Sequence, residues 1–404
     1  GHNILLRTLP TLVFQLHYAM LCIKSQNIVG RRRLDSHSHP TPGPPRTYVE
    51  KLTLVDLDLV ALQARIRSWG EPYEAARTYA RHIWHWLYHD LGTSIHELEA
   101  IPPTLRERLS QELPLVAPML LAQEVSPDRS TQKHLLQMTG GARVESVLLA
   151  YRDRFTVCAS TQVGCACGCD FCATGQMGFV RQLSAGEIVA QILHFGRFLG
   201  TLHAARLSNV VFMGMGEPLL NTENVLIAIQ RLADPRGLAL APGRITLSTV
   251  GIVPGIDRLA KVHSRLPIKL AISLHAATDD LRSALMPINR TYSLAPLFDA
   301  VRRYTELTGR RVFYEWVMIA DHNDTEEQAL ALVTRLQGLP SHVNLIELNP
   351  TADSPYRPAS PQALSAFAAI LDRYAIPHTV RQRRGGGIRA GCGQLFTQQY
   401  HQCN

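Results

Sequence analysis

Four cysteines crowd into the eight residues Cys165-Ala-Cys-Gly-Cys-Asp-Phe-Cys172, and three of them, Cys165, Cys169 and Cys172, stand in the order Cys-x-x-x-Cys-x-x-Cys. So short a stretch does not suit a disulfide framework, and this clustering points to a metal site in a reducing, cytoplasmic compartment. Three thiolates leave one iron of a 4Fe-4S cube without a protein ligand. Closed electron-transfer clusters are held by four cysteines, and an open coordination position is what a catalytic metal uses. On spacing alone a structural zinc knot remains open as the alternative, with Cys158 or Cys167 as its fourth thiolate.

The segments around the loop set the fold class. An apolar, strand-like run from Phe155 to Val157 precedes it. A stretch from Ser184 to Phe198, with Ile188, Ile192 and Phe195 at helical spacing, follows it, so the loop is expected to join a strand to a helix. Farther on, Asn209 to Met213, Ile245 to Thr249, Lys269 to Leu274, Arg311 to Met318 and Val343 to Leu348 are strand-like, with helical stretches between them. Such alternation implies a parallel sheet covered by helices, with chemistry at the carboxyl ends of its strands.

Polar residues fall at those ends. In Met213-Gly-Met-Gly-Glu217-Pro the glycines allow a ligand close to the backbone, and the Glu217 carboxylate can accept from an ammonium group. Ser248, Ser273-Leu274-His275 and Asn349 close three later strands. A lone Ser or Asn at such a place is usually a turn residue; together they describe a ligand pocket.

Upstream, Leu54 to Leu109 is helical in pattern. Leu59, Leu62, Ile66 and Trp69 form one apolar stripe, Ala76, Ala80, Ile83 and Leu87 form another, and Pro72 and Pro102-Pro103 punctuate them. Arg65, Arg67, Arg77, Arg81 and His85 lie off the stripes, as an RNA-docking face or as an ordinary solvated one. His134 to Met138 and Arg143 to Ala150, joined by Thr139-Gly-Gly-Ala142, carry a hairpin signal. Glu145 shares a strand face with Val147 and Leu149. Burial there would raise its pKa toward a general base's range, but position alone favours a rim.

The net charge of +8 suits a polyanionic partner such as RNA, and 46% apolar with 18% charged residues suits a soluble globular chain. The apolar run from Thr8 to Ile23 is too short to span a bilayer and contains Pro10, Gln15 and His17. No function is assigned before Tyr48. The chain is expected to divide into a tail (1–48), a helical module (49–115), a hairpin connector (116–154), a barrel (155–384) and a C-terminal loop (385–404). That loop belongs to the glycine-rich, basic stretch from Val380 to Leu395. Within it Cys392, flanked by Gly391 and Gly393, has little side-chain packing to explain it and reads as a reactive thiol.

The cluster loop, with Phe171 just before its last cysteine, resembles the signature of the radical S-adenosylmethionine (SAM) superfamily. Cys158-Ala-Ser-Thr-Gln-Val-Gly-Cys165, Gly175-Gln-Met-Gly-Phe-Val-Arg181, Gly214-Met-Gly-Glu-Pro218, Leu247-Ser-Thr-Val-Gly251, Ser273-Leu-His275 and Gly391-Cys-Gly-Gln-Leu395 together resemble the RlmN/Cfr family of radical SAM RNA methyltransferases. The likeness covers roughly Val55 to Leu395. It implies an α/β fold: a partial (β/α)6 barrel with a small N-terminal helical domain and a β-hairpin. It also implies a 4Fe-4S cluster on Cys165, Cys169 and Cys172, and SAM held by Gly216, Glu217, Ser248, Ser273, Leu274, His275 and Asn349. Cys392 would carry the methyl group, Cys158 would resolve the thioether-linked RNA by forming a disulfide with Cys392, and Glu145 would accept a proton, which sets the rim expectation aside. The implied substrate is C2 of an adenosine in 23S rRNA, with tRNA as a second substrate, and a Cfr-like C8 product is the neighbouring alternative. The resemblance further implies an electron donor such as flavodoxin and a monomer with no membrane association. Two positions depart from the family pattern: Gly387, where an acidic residue usually precedes Ile, and Cys167 inside the cluster loop.

Overall fold

Prolines start two of the three helices of the N-terminal stretch in the computed structural model, which describes residues 52–203, 206–350 and 354–381. Helix α1 (Leu59–Ser68) begins at Asp58, whose carboxylate accepts from the Ala61 N–H. Pro72 precedes α2 (Tyr73–Tyr88) and Pro102 precedes α3 (Pro103–Glu112). Leu62, Ile66, Ala76, Ala80, Ile83 and Leu87 are buried, while the five basic residues off the stripes are exposed.

Strands β1 (Met119–Val125), β2 (Thr131–Gln137) and β3 (Arg143–Ala150) form an antiparallel meander, and β4 (Phe155–Cys158) continues it. Gly140 and Gly141, at φ of 75° and 85°, make the turn between β2 and β3 in a backbone region that suits glycine. Beyond β4 the chain does not run straight into a helix. Strand β5 (Gln162–Gly164), helix α4 (Ala173–Gln176) and strand β6 (Phe179–Gln182) come first, and β5 pairs with β6 to enclose the cysteine loop. That corrects the simple strand-to-helix expectation: strands of three and four residues show no alternation to count.

Helix α5 (Ala185–His203) opens the repeating part. It is followed by β7 (Asn209–Phe212), α6 (Thr222–Ala233), β8 (Ile245–Thr249), α7 (Val253–Val262), β9 (Lys269–Ser273), α8 (Asp279–Leu285) and α9 (Leu294–Thr308). Then come β10 (Val312–Met318), α10 (Glu326–Leu336), β11 (Ser341–Glu347), α11 (Pro361–Arg373) and β12 (His378–Arg381). One sheet runs β1-β2-β3-β4-β7-β8-β9-β10-β11-β12, parallel from β4 onward. The α/β partial barrel is thus as expected, with β12 added to the six strands anticipated.

Strand alternation sorts inside from outside. On β10, Tyr314 and Trp316 point outward, where their rings meet Phe298 of α9 at 6.0 Å and Phe367 of α11 at 5.5 Å. Their burial anchors helices to the sheet, each large side chain contributing about 2 to 3 kcal/mol. Glu315, between them in sequence, therefore points inward.

Candidate active site

Register aligns polar residues on the inner face. Ser273 stands opposite Glu315, Glu315 opposite Asn344, and Ser248 opposite Ala271. The hydroxyls of Ser248 and Ser273 lie 3.1 Å apart, and Asn344 Nδ2 donates to Glu315 Oε1 at 2.9 Å. Burial pushes the Glu315 carboxyl up, with Arg381 and Asn344 opposing. Across the sheet, Cys158 pairs with Val147 and Val147 with Lys133, so Lys133, Glu145, Val147 and Cys158 share the same inner face. Burial pushes the Cys158 thiol up to about 11, opposed by the charges of Lys133 and Arg381. That Arg381, on the last strand, acts on a residue of β4 shows how strongly the sheet curls.

Glu145 is not at a rim. It is 1% exposed, and its Oε2 lies 3.3 Å from Nζ of Lys133, itself fully buried. The fully buried face of β3 is the opposite one, Val144, Ser146 and Leu148, where Ser146 donates to Gln191 of α5 at 2.6 Å. Sequence reasoning passed over Lys133, whose only signal is a lysine in alternation with Leu135. The backbone of Glu145 is also tied to the glycine loop. Ser160 Oγ donates to the Glu145 carbonyl at 2.6 Å and accepts from the Met215 N–H at 2.8 Å.

The cysteine loop is built from its own backbone. Cys165 N donates to Gly178 O at 2.8 Å, Cys172 N to Cys169 O at 3.1 Å, and Asp170 N to Leu285 O at 3.0 Å. A Cβ on Gly175 would stand 2.8 Å from both N and O of Cys169, so only glycine lets α4 lie this close. Cys167 and Cys169 pack with Leu285, Met286, Ile319 and Leu348, and the Phe171 ring meets His275 edge-on at 5.0 Å. Burial raises the thiols of Cys169 and Cys172. The Cys167 thiol donates to Cys165, which lowers Cys165 and raises Cys167. Cys167 thus supports Cys165 through a hydrogen bond.

A cluster fits this donor set better than a single zinc. Tetrahedral zinc with thiolates at about 2.3 Å needs sulfurs roughly 3.8 Å apart. Among the described residues, the one group of three His, Cys, Asp or Glu ligand atoms within 4.8 Å of one another is the exposed His85, His89 and Asp90. No three of the loop thiols come that close together, and their apolar cradle suits soft thiolate ligation of a larger iron–sulfur group.

The residues expected to hold SAM gather next to that cradle. Gly216, at φ 96°, has no room for a side chain: a Cβ there would stand 2.7 Å from Cγ and 2.8 Å from N of Gln162. Gln162 Oε1 accepts from the Glu217 N–H at 2.8 Å. The Glu217 carboxylate takes the N–H of Leu219 at 2.9 Å and of Val250 at 2.8 Å, and burial pushes it up to about 7. His275, at φ 57°, accepts the Val317 N–H on Nδ1 at 3.0 Å, and burial beside Arg282 pushes it down to about 3. Its ring is therefore neutral, with the proton on Nε2. Leu274 takes part through its backbone, donating to Glu315 O at 3.1 Å, and half-buried Asn349 follows β11. Cys392 lies outside the described residues.

Arg282, fully buried, ties these strand ends together. It donates to Leu274 O at 3.1 Å, Val250 O at 2.5 Å and Asn289 Oδ1 at 2.7 Å, and burial pushes it down to about 10. A lone arginine in a helical stretch gives no sequence sign of such a role. Arg282→Met strands those acceptors and is expected to cost about 3 to 5 kcal/mol. The thermal unfolding midpoint checks it, and a midpoint equal to wild type would deny Arg282 this role.

Comparison with known proteins fits this geometry. The family model of the radical SAM superfamily matches residues 159–333. The chain is 47% identical over 343 residues to the dual-specificity RNA methyltransferase RlmN 1 of Myxococcus xanthus, covering 85% of this chain and 93% of that protein. It is 46% identical over 366 residues to the probable dual-specificity RNA methyltransferase RlmN 2 of Opitutus terrae, covering 82% and 85%. The crystal structure of a radical SAM methyltransferase from Sphaerobacter thermophilus superposes with a TM-score of 0.81 at 44% identity, covering 85% of this chain and 98% of that one.

Proposed function

Since the chain belongs to the RlmN family of radical SAM methyltransferases, we propose that it methylates C2 of an adenosine in 23S rRNA, with tRNA as a second substrate, by way of a methyl group carried on Cys392. The observation that carries this is the Ser160 bridge, which fastens the strand of Glu145 to the Met215-Gly216-Glu217 loop beside the cysteine cradle. It holds a buried acid, the thiol of Cys158 and a SAM-type pocket on one inner face. Among the described residues no helix is long and apolar enough to cross a membrane.

Cys165, Cys169 and Cys172 hold the cluster, and Gly216, Glu217, Ser248, Ser273, Leu274, His275 and Asn349 hold SAM. When bound, these groups supply the methyl carbon and the radical reactivity that an electron-poor aromatic carbon requires, with an outside donor such as flavodoxin furnishing electrons. The Glu217 carboxylate receives the ammonium of SAM, and Ser248 and Ser273 offer hydroxyls. Phe171 packs edge-on against His275 beside the cradle. Glu145, its charge balanced by Lys133, takes the proton leaving the methylated ring. The Cys158 thiolate then attacks the Cys392 sulfur; the bond from that sulfur to the methyl-derived carbon breaks, the carbon keeps the electron pair and takes up a proton to become the methyl group on the base, and the Cys158–Cys392 disulfide left behind is reduced by an external thiol.

Titration of Glu217 gives a signed expectation. Its value is raised from 4.5 to about 7, so the ligand-free fold gains from the neutral acid below pH 4.5 and loses that gain as pH rises through 7. Ammonium binding requires the opposite form. SAM affinity of cluster-loaded protein therefore rises by up to about tenfold per pH unit toward pH 7 and then levels off. Titrations across this range check it, and Glu217→Gln should remove the dependence.

The function itself is tested by anaerobic reaction of cluster-loaded protein with labelled SAM and unmodified 23S rRNA, followed by nucleoside mass spectrometry. 2-Methyladenosine is expected. 8-Methyladenosine would move the protein to the Cfr-like chemistry, and no methylated adenosine from rRNA or tRNA would end the proposal.

A further inference from the structure

Parallel strands present two rims, and the site described above uses only the carboxyl one. The opposite rim, where β7 to β10 begin, is basic. Arg206 precedes β7, Arg244 precedes β8, Arg265 precedes β9 and Lys269 opens it, and Arg310 and Arg311 lead into β10. All six are exposed. Register places these strand starts within one residue of level: Ile245 stands beside Val210, Lys269 beside Thr246, and Phe313 beside Ala271. Neighbouring strands lie about 4.8 Å apart, so the four starts make a row about 14 Å wide. Arginines on the covering helices are neutralised where they stand, Arg258 by Glu223, Arg302 by Asp299 and Arg303 by Asp257. Among the described residues none of the six rim cations has an ion-pair partner. The helix dipole accounts for a cation such as Lys261 in the last turn of α7, whereas these six lie beyond the last turns. At one end of the row Arg311 and the exposed Tyr374 line the same groove, walled by Pro340 and Pro377.

Resting on the RNA substrate proposed above, we propose that this amino rim is a second RNA-binding surface, which holds the phosphate backbone of a multi-helix RNA while the target base occupies the carboxyl rim. Cations in a row without counter-charges repel one another, and a polyanion relieves that repulsion. Tyr374 adds a flat face on which a base stacks. Cations joined by an aromatic suit RNA better than a protein, whose docking is centred on apolar anchors. The rims face opposite ways, about 13 Å apart along β9 from Lys269 to Ser273. A short hairpin with its base in the site ends there, and only an RNA whose flanking helices fold back round the barrel reaches the amino rim. Such phosphate contacts position the substrate and carry no sequence information.

Two triple variants of equal charge change test this: Arg244→Gln, Lys269→Gln and Arg311→Gln on the rim, and Arg258→Gln, Arg302→Gln and Arg303→Gln on the helices. Cluster-loaded proteins are assayed on a 23S rRNA fragment of several helices and on a short hairpin carrying the target adenosine, and binding of the fragment is followed as salt is raised. The rim triple should raise KM on the fragment at least about tenfold and reduce the slope of log affinity against log salt by about 2 to 3. Its kcat on the fragment and both constants on the hairpin should match wild type. Tyr374→Ala should weaken fragment binding about tenfold with the salt slope unchanged. Equal effects of the two triples would assign the loss to net charge and overturn the inference, as would equal losses on fragment and hairpin or an unchanged salt slope. A rim triple that binds RNA normally but is no longer reduced by flavodoxin would overturn it too, giving the rim to the electron donor. Wild-type protein that methylates neither RNA would end the substrate reading, and the salt slopes would still decide the rim.

Discussion

Cys158→Ala protein, cluster-loaded and given SAM with unmodified rRNA, is expected to complete one round and then remain covalently joined to its RNA. Once the Cys392 sulfur is bonded through the methyl-derived carbon to the base, the link breaks only when a second sulfur attacks the first, and alanine has none. Cys158 ends β4, on the inner face shared with Lys133 and Glu145, and is the thiol proposed for that attack. Denaturing electrophoresis should show a protein–RNA band that nuclease shortens and thiols do not remove. The wild-type release step should itself quicken with alkali, because burial pushes the Cys158 thiol up to about 11. Its rate should climb about tenfold per pH unit through the neutral range as the thiolate fraction grows. Multiple turnovers by the alanine variant with no adduct would remove Cys158 from the reaction.

The second large effect is expected at the cradle. Cys169→Ala should abolish both iron binding and methylation, a loss well beyond the roughly 10- to 100-fold that an outer-shell contact costs. Cys165→Ala and Cys172→Ala should do the same, while Cys167→Ala should keep its iron and show only weaker support of Cys165. The fold should survive each change, because the loop is shaped by backbone hydrogen bonds such as Cys165 N to Gly178 O and by the close approach of Gly175. Iron per chain, visible absorption and circular dichroism distinguish these outcomes. Iron retained in Cys169→Ala and lost in Cys167→Ala would reassign the ligands and revive a four-thiol metal knot.

Much of this molecule is legible in its sequence. The helical stripes, the hairpin and five of the barrel strands after the cysteine loop fall where periodicity places them, since alternation and helical spacing record which side of each element meets the core. The short pieces escaped. Strands β5, β6 and β12, with only one or two apolar residues each, lack the apolar run that marks β7 at a similar length. Candidate site residues were recognisable where the chemistry is local: three thiols at fixed spacing, or glycines beside a carboxylate at a strand end.

Residue order alone therefore determined the spacing of the thiols, the repeating α/β pattern and the polar strand ends, because each is written within a few neighbouring residues. Folding settled the rest. Glu145 lies buried against Lys133, Arg282 binds the strand ends, and Glu315 holds an oxygen toward the interior. Those facts depend on strand register and on the curl that brings Arg381 to bear on Cys158. Burial and charge at such points arise from residues far apart in the chain, and no local pattern encodes them.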